Sequence, residues 1–371
     1  MPKQFLIRAN LARIMVYFGT KNQYMFTITS RQILIINQLK RGETLAFSEF
    51  FLIIGAATSE RTLKRDLSDL VSAGILETKG KGRALVYSLL ISGRFFIPVE
   101  AGVYSVQEPD RRAGALSSYQ FTLWENWPDS LFSNNELSHL THNTESYQSR
   151  VATQSNDVRA KELERFVIEL SWKSSRIEGN TYTLLDTELL IREGIASKTN
   201  TSEETTMILN HKIAFDFVLE TATPGTSLTR GFIEHVHTLL MTGLITDLGL
   251  RKSVVGITGS TYRPLNNQFQ IAEELENCIK CINQCTGGFD KALTALVGIS
   301  YIQPFVDGNK RTARLIANAL LIAHKLAPLS YRNVDEVLYR GSLLAFYEQL
   351  SVIPMKKIFI EQYVFATEHY S

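Results

Sequence analysis

Long apolar runs are absent from this chain: nothing in it approaches the roughly 20 consecutive apolar residues that a bilayer-spanning helix requires, so no membrane partner is expected. The opening stretch, MPKQFLIRANLARIMVYFGT, is partly basic and partly apolar. It lacks a continuous apolar segment followed by a small-residue cleavage site and does not read as a signal peptide. Cysteine is scarce. Cys278, Cys281 and Cys285 are the only three, an odd number that argues against a disulfide framework and fits a reducing cytoplasm. Their spacing invites a metal cluster, but on a predicted helix they share one face, where cysteine serves as a small core residue, and no fourth ligand stands nearby. A disorder-type composition is lacking too. At 371 residues and 44% hydrophobic, the chain holds material for two domains.

The small net charge of +2 conceals a segregation. Residues 1–95 carry 14 lysines and arginines against 6 acidic residues, a net of +8, and the remainder carries a net of −6. Two parts meeting different partners are implied, with the basic part suited to a polyanion.

In that basic part SRQILIINQL predicts a short amphipathic helix from Ser30, with Ile33, Ile36 and Leu39 at helical spacing. FSEFFLIIG gives a second, ended by Gly55. AATSERTLKRDLSDLVSAG gives a third, with Thr58 or Ser59 as N-cap and Gly74 as stop. ILETKGKGRALVYSLL then reads as two strands around a glycine-rich basic turn. Three helices and a hairpin make a winged helix-turn-helix, and residues 28–92 resemble the winged helices of bacterial transcription regulators. Ser59, Arg61, Thr62, Lys64 and Arg65 lie off the apolar stripe of the third helix and suit phosphates and base edges in a major groove. Lys79, Lys81 and Arg83 on the wing suit neighbouring phosphates. The partner so implied is duplex DNA; a protein-interaction or dimerisation module, and with it a homodimer, stays open. Residues 1–27 are read only as an added helix and strand. Pro98, Gly102, Pro109 and Gly114 mark residues 96–114 as a linker between a 1–95 domain and a 115–371 domain.

From Ala115 onward the pattern is mainly helical. One exception is LRKSVVGITGSTYRPLNN, where apolar β-branched residues between glycines and a proline predict a hairpin, or flap, between two helices. The chemistry concentrates in Gln303-Pro304-Phe305-Val306-Asp307-Gly308-Asn309-Lys310-Arg311-Thr312-Ala313-Arg314. A helix ends near Pro304, a tight loop carries Asp307-Gly308-Asn309, and a new helix begins at once. Glycine lets the backbone turn its amides toward one point, and the helix N-terminus adds partial positive charge there. Arg311 and Arg314 project from the first turn on the same side, and two guanidiniums beside such a nest suit a di- or triphosphate. Asp307 offers a carboxylate to a Mg²⁺ that bridges phosphates.

This segment resembles the signature of the Fic (filamentation induced by cAMP) family, H-x-F-x-D/E-G-N-x-R-x-x-R, at every fixed position but the first. The resemblance covers residues 115–371. It implies a mainly α protein: an all-helical Fic-fold core with a β-hairpin flap, preceded by the winged helix-turn-helix. It implies ATP and Mg²⁺ as ligands and AMP transfer to a Ser, Thr or Tyr hydroxyl of a target protein. By resemblance Phe305 anchors the loop and Asp307 holds the metal through the phosphates. Gly308, Asn309, Lys310, Arg311 and Arg314 serve the nucleotide. Ser174-Ser175-Arg176-Ile177-Glu178-Gly179 resembles the family's inhibitory-helix motif, in which a glutamate, here Glu178, pairs with the last signature arginine, here Arg314. The flap resembles the target-docking hairpin, with Arg251, Gly256, Ile257, Thr258, Gly259, Ser260, Tyr262 and Pro264 fitting its pattern; its backbone would take an extended peptide by strand addition.

Gln303 breaks the pattern. It occupies the position of the family's catalytic histidine, the group that takes the proton from the attacking hydroxyl. A glutamine amide donates and accepts hydrogen bonds but cannot hold that proton. His211, His235 and His237 sit on predicted helices and read as surface or core residues, not substitute bases. Three readings remain open: a degenerate protein that binds ATP or another nucleotide and acts as sensor or DNA-binding regulator, one that keeps weak transfer or another phosphate chemistry, and a glutamine engineered into an active enzyme.

Overall fold

The computed structural model describes residues 14–18, 24–40, 44–55 and 58–370. Two strands, β1 (Ile14–Phe18) and β2 (Tyr24–Ile28), pair antiparallel with Ile14 opposite Ile28. The helix expected within residues 1–27 has no counterpart among the described residues there; 1–13 and 19–23 lie outside them.

Helix α1 (Ser30–Leu39) begins with a reciprocal cap, in which the Thr29 hydroxyl accepts from the Gln32 amide and the Gln32 side chain accepts from the Thr29 amide. A two-residue strand β3 (Leu45–Ala46) leads into α2 (Phe47–Ile54), and α3 (Glu60–Ser72) follows, capped by Ser59. Leu63, Leu67 and Leu70 recur at helical spacing and are buried with Ile35, Ile36 and Leu39 of α1. Asp66 is buried beneath them and bonded by Arg31 across to α1. β4 (Leu76–Lys79) and β5 (Val86–Leu89) form the expected antiparallel pair, and β3 joins the far side of β5, giving the order β3-β5-β4. β3 escapes a sequence reading because two residues show no alternation.

A short α4 (Ile91–Arg94) and α5 (Ala101–Ser105) precede ten further helices. These are α6 (Asn134–Thr153), α7 (Asn156–Ile177), α8 (Leu184–Glu193), α9 (Ser202–Thr221), α10 (Arg230–Met241), α11 (Gln268–Gln284), α12 (Gly288–Ile302), α13 (Asn309–Ala323), α14 (Glu336–Gln349) and α15 (Ile353–His369). Helix α12 is buried at every position but Lys291 and largely apolar from Ala292 onward, which makes it the axis of the core, and α13 packs back along it. The span 96–114 is not slack: α5 lies against α14, the Val352 amide donates to Phe95 O at 2.9 Å, and the Ser351 hydroxyl donates to Ile97 O at 2.6 Å.

The flap between α10 and α11 corrects an expectation. Its two limbs do not pair as a hairpin. The segment runs extended, turns at Thr258-Gly259, and makes its β bridge from Arg263 to Ser118 of a preceding loop. The backbone is drawn elsewhere: the Arg251 amide donates to Pro304 O at 3.0 Å and the Arg263 amide to Ser117 O at 3.0 Å. Cys278, Cys281 and Cys285 are buried and unbridged, and among the described residues no group of three or more His, Cys, Asp and Glu could hold a metal. No described helix is long and apolar enough to cross a membrane.

Candidate functional site

Residues 303–308 link the two most deeply buried helices, and the tightness of that link sets the site. Gln303 ends α12 with φ 51° and ψ 60°, a left-handed conformation uncommon for a residue with a side chain. Gly308 opens α13 with φ 78°, where a Cβ would lie 2.5 Å from Met241 Sδ. Gly308 supplies no side-chain cap, so the N-terminal turn of a 15-residue helix is left facing the loop.

Asn309 holds the turn together. Its Oδ1 accepts from the Phe305 amide at 2.8 Å, and its Nδ2 donates to Phe305 O at 2.9 Å and to Gln303 Oε1 at 3.0 Å. The Gln303 Nε2 donates to Ser300 O at 2.6 Å. Both ends of the Gln303 amide are therefore engaged within the loop. Arg251, fully buried, locks the same turn from outside, its Nε donating to Gln303 O at 2.6 Å and its NH1 to Ser253 O at 2.8 Å. Phe305 is buried and stacks on the His237 ring at 3.7 Å between centroids, while His237 Nε2 meets Asp307 O at 3.0 Å. Burial, only partly countered by that carbonyl, pushes His237 down to about 4 and leaves it neutral. His211 is buried nearby, held down to about 3 by burial and the charges of Arg314 and Arg311. His235 is exposed. The pillar role of His237 was not legible beforehand, since a helical histidine shows no periodicity of its own.

Three cations converge at the start of α13. Arg311 is 2% exposed, pairs with Asp307 Oδ2 at 3.1 Å, and has Nε and NH1 without a hydrogen-bond partner among the described residues. Burial lowers its affinity for the proton. Arg314 is fully buried. Its Nε donates to Ser174 Oγ at 2.9 Å and its NH2 to Ser174 O at 2.9 Å and Glu178 Oε1 at 2.9 Å, with Tyr339 OH at 3.4 Å. The other carboxylate oxygen of Glu178 takes Lys310 Nζ at 2.6 Å. Burial by itself would raise the Glu178 carboxyl, but Arg314 and Lys310 overrule it and hold it at about 2. Lys173 and Arg176 fix this end of α7 by pairing with Glu336 of α14 at 2.9 and 3.0 Å.

Glu178 and Lys310 border a cavity of about 680 Å³, walled also by Gly179, by Gln303 and 306–309, by flap residues 255–259, and by Tyr347 and neighbours on α14, with Arg311 and Arg314 buried outside its lining. The flap residues contribute unequally. Gly256, Thr258 and Gly259 are exposed, and Ile257 and Ser260 are half-buried. Tyr262 is 1% exposed, stacks on Tyr301 at 4.7 Å and donates to Tyr301 O at 3.0 Å, so it anchors the flap and presents nothing to a target. Pro264 is buried as well.

Outside the lining of this cavity, Arg61, Lys64, Arg65, Lys79, Lys81 and Arg83 are all exposed. Ser59 and Thr62 are occupied in capping α3, the Ser59 hydroxyl lying 2.9 Å from that of Thr62 and accepting from its amide at 3.2 Å. Lys64 pairs with Glu60 at 2.6 Å on the surface.

Residues 227–321, which contain α10, the flap, α12 and most of α13, match the Fic/DOC family. Solved structures with the same fold include Fic-1 of C. elegans, at 17% identity and a TM-score of 0.53 over 64% of this chain and 70% of that one. A Fic domain containing signaling protein from Bacteroides thetaiotaomicron is 18% identical, with a TM-score of 0.51 over 63% of this chain and 95% of that one. A Fic family protein from Desulfovibrio desulfuricans is 19% identical, with a TM-score of 0.54 over 64% and 74% respectively. At such identities the likeness is one of fold, and the helical core has the Fic fold. Comparison with curated protein sequences gives no match.

Proposed function

We propose that this chain is a nucleotide-binding protein on the Fic fold, restrained by Glu178 and impaired in group transfer by Gln303. The observation that carries this reading is the clamp of Glu178 on Arg314 and Lys310: a buried carboxylate neutralises cations that the loop otherwise turns on a ligand. Arg311 supports it further. Two of its buried nitrogens lack partners among the described residues, a costly arrangement that an anion would relieve. The open N-terminus of α13 adds backbone donors, and a cavity of about 680 Å³ is of the size that small-molecule sites adopt.

ATP fits these donors, with Gly308, Asn309, Arg311 and, once released, Lys310 and Arg314 serving its phosphates. For Mg²⁺ the cavity offers Asp307, whose side chain is 66% exposed, while its other carboxylate, Glu178, is taken by Lys310 and Arg314; this suits an ion completed by phosphate oxygens and water. Bound there, the ion would neutralise phosphate charge. Neither Gln303 nor His237 is free to accept the hydroxyl proton of a target protein. The Gln303 amide is engaged with Ser300 and Asn309, and His237 is engaged with Asp307 and kept neutral by burial. Loss of a general base costs about 10²–10⁴-fold in rate. The exposed flap segment 256–259 suits a target backbone, and a reducing cytoplasm suits the three free thiols.

Titration of Mg²⁺-ATP into the full chain, monitored by heat, tests the reading. Arg311→Ala is expected to abolish binding that Lys64→Ala leaves intact; equal binding by the two variants would refute it.

A second reading concerns residues 28–92 and is favoured by one observation, the exposure of six basic side chains on α3 and around the β4–β5 turn. Here a winged helix-turn-helix contacts duplex DNA, and the Fic-fold part serves as its nucleotide sensor or partner dock. Salt-dependent binding to duplex DNA tests it.

A further inference from the structure

A fully buried ion pair outside the loop lies where three parts of the chain meet. Arg112, in the segment that connects the N-terminal elements to the helical core, lies 3.0 Å from Glu348 Oε1 of α14; the two side chains are 2% and 0% exposed. The remaining valences of this pair reach the flap. Arg112 NH1 donates to Gly259 O at 2.9 Å, the Ser260 hydroxyl donates to Glu348 Oε1 at 2.6 Å, and the Thr261 amide donates to the same oxygen at 3.2 Å. They also reach back into the connector. Arg112 Nε and NH2 donate to Gln107 O at 3.1 and 3.0 Å, and the Tyr104 hydroxyl donates to Glu348 Oε2 at 2.7 Å.

Residues of this cluster line two cavities. One is the 680 Å³ cavity of the candidate site, where Arg112 lines the wall beside Gly259. The other is a cavity of about 420 Å³ lined by Asn37, Gln38 and Lys40 from the end of α1 together with Tyr104, Gln107 and Gln349. The connector touches the N-terminal elements closely at that second cavity. The Arg94 NH2 donates to Lys40 O at 3.0 Å, and a Cβ on Gly114, whose φ is +72°, would lie 2.6 Å from Lys40 Cβ.

We infer that Arg112 is a positioning residue for the flap, and that through Arg112 and Glu348 the N-terminal elements bear on the shape of the nucleotide cavity. The flap's limbs do not pair with each other, so its turn depends on borrowed partners, and Glu348 and Arg112 supply three of them. A displacement of α1 against Gly114 is carried by a connector whose Arg112 holds Gly259 and pairs with Glu348, the side chain that holds Ser260 and Thr261. The inference rests on the nucleotide reading only in treating the flap as a working wall of the site.

Hydrogen exchange of the full, nucleotide-free chain tests it, read at the amides of residues 256–262 and, as internal reference, at those of α13. Arg112→Met is expected to speed flap exchange by about tenfold or more while α13 is unchanged, and Arg112→Lys to recover part of the protection. Gly114→Ala is expected to speed flap exchange in the otherwise unaltered chain and to add nothing in the Arg112→Met background. Unchanged flap exchange in Arg112→Met, or flap and α13 rising together, overturns the positioning role. Additive effects of Gly114→Ala and Arg112→Met overturn the coupling. Glu348→Gln, which removes charge but keeps the shape, replaces Arg112→Met if the latter does not fold, with the same expected and contrary results. Mg²⁺-ATP titration of the same variants reports separately on the nucleotide reading.

Discussion

Glu178 and Arg314 meet at 2.9 Å within the helical core, and the second oxygen of the same carboxylate lies 2.6 Å from Lys310. One acidic side chain from the end of α7 thus occupies two of the three cations at the start of α13. Glu178→Gly is expected to release both toward the cavity and tighten Mg²⁺-ATP binding by about tenfold or more. It also leaves the Arg314 charge buried without its partner, a loss of about 3 kcal/mol or more in folding stability. Calorimetric titration and urea unfolding check the two effects, and unchanged affinity would count against the clamp.

The buried histidines set the acid side of stability. His237 and His211, held at about 4 and about 3 in the folded chain against an ordinary 6.5, remain neutral where the unfolded chain takes up protons. Stability is therefore full above pH 6.5 and lost as pH falls from 6.5 toward those values, by about 1.4 kcal/mol per pH unit for each. Glu178 acts lower: its contribution is full above its ordinary 4.5 and lost as pH falls from there to about 2. Urea unfolding at successive pH values is expected to show the histidine slope first. His211→Leu should flatten it, since neither His211 nitrogen has a hydrogen-bond partner among the described residues. An unaltered slope would contradict this assignment.

Asn309→Ala removes three bonds that close the loop and strands the buried Phe305 amide. A loss of about 2–4 kcal/mol is expected by urea unfolding, with nucleotide binding weakened as the loop loosens. A loss below about 0.5 kcal/mol would show that Arg251 and the His237–Phe305 stack suffice alone.

Much of this was legible in residues. The helices of the core announced themselves by period, and the loop by its Asp307-Gly308-Asn309 turn between two apolar runs. The pairing of Glu178 with Arg314 was expected from the family resemblance of SSRIEG, and the structure brings the two together. The addition of Lys310 was not, because a lysine within a helix turn carries no sign of what its ammonium will meet. Nor was the use of Arg251 and His237 as supports: each is a polar side chain whose partner is a backbone carbonyl distant in sequence, a contact no local pattern encodes. The flap misled for the opposite reason. Its β-branched residues favour extended backbone, and extended backbone was realised, but pairing depends on which carbonyls lie opposite, here those of Pro304 and Ser117.

For the N-terminal elements, binding to duplex DNA is expected to fall steeply with salt, and replacing Arg61, Lys64 and Arg65 together by alanine should weaken it at all sequences and flatten the salt slope by about three phosphate contacts. A filter or anisotropy titration at several salt concentrations checks this, and absence of binding at low salt would remove the DNA reading.

On the proposed reading, a nucleotide scaffold with its transfer step disabled by Gln303 is held shut by Glu178. The most direct measurement is the intact mass of Glu178→Gly protein after incubation with Mg²⁺ and ATP, with and without Gln303→His. An added AMP only when histidine is present is the predicted result. An adduct on the chain that retains glutamine would contradict the account.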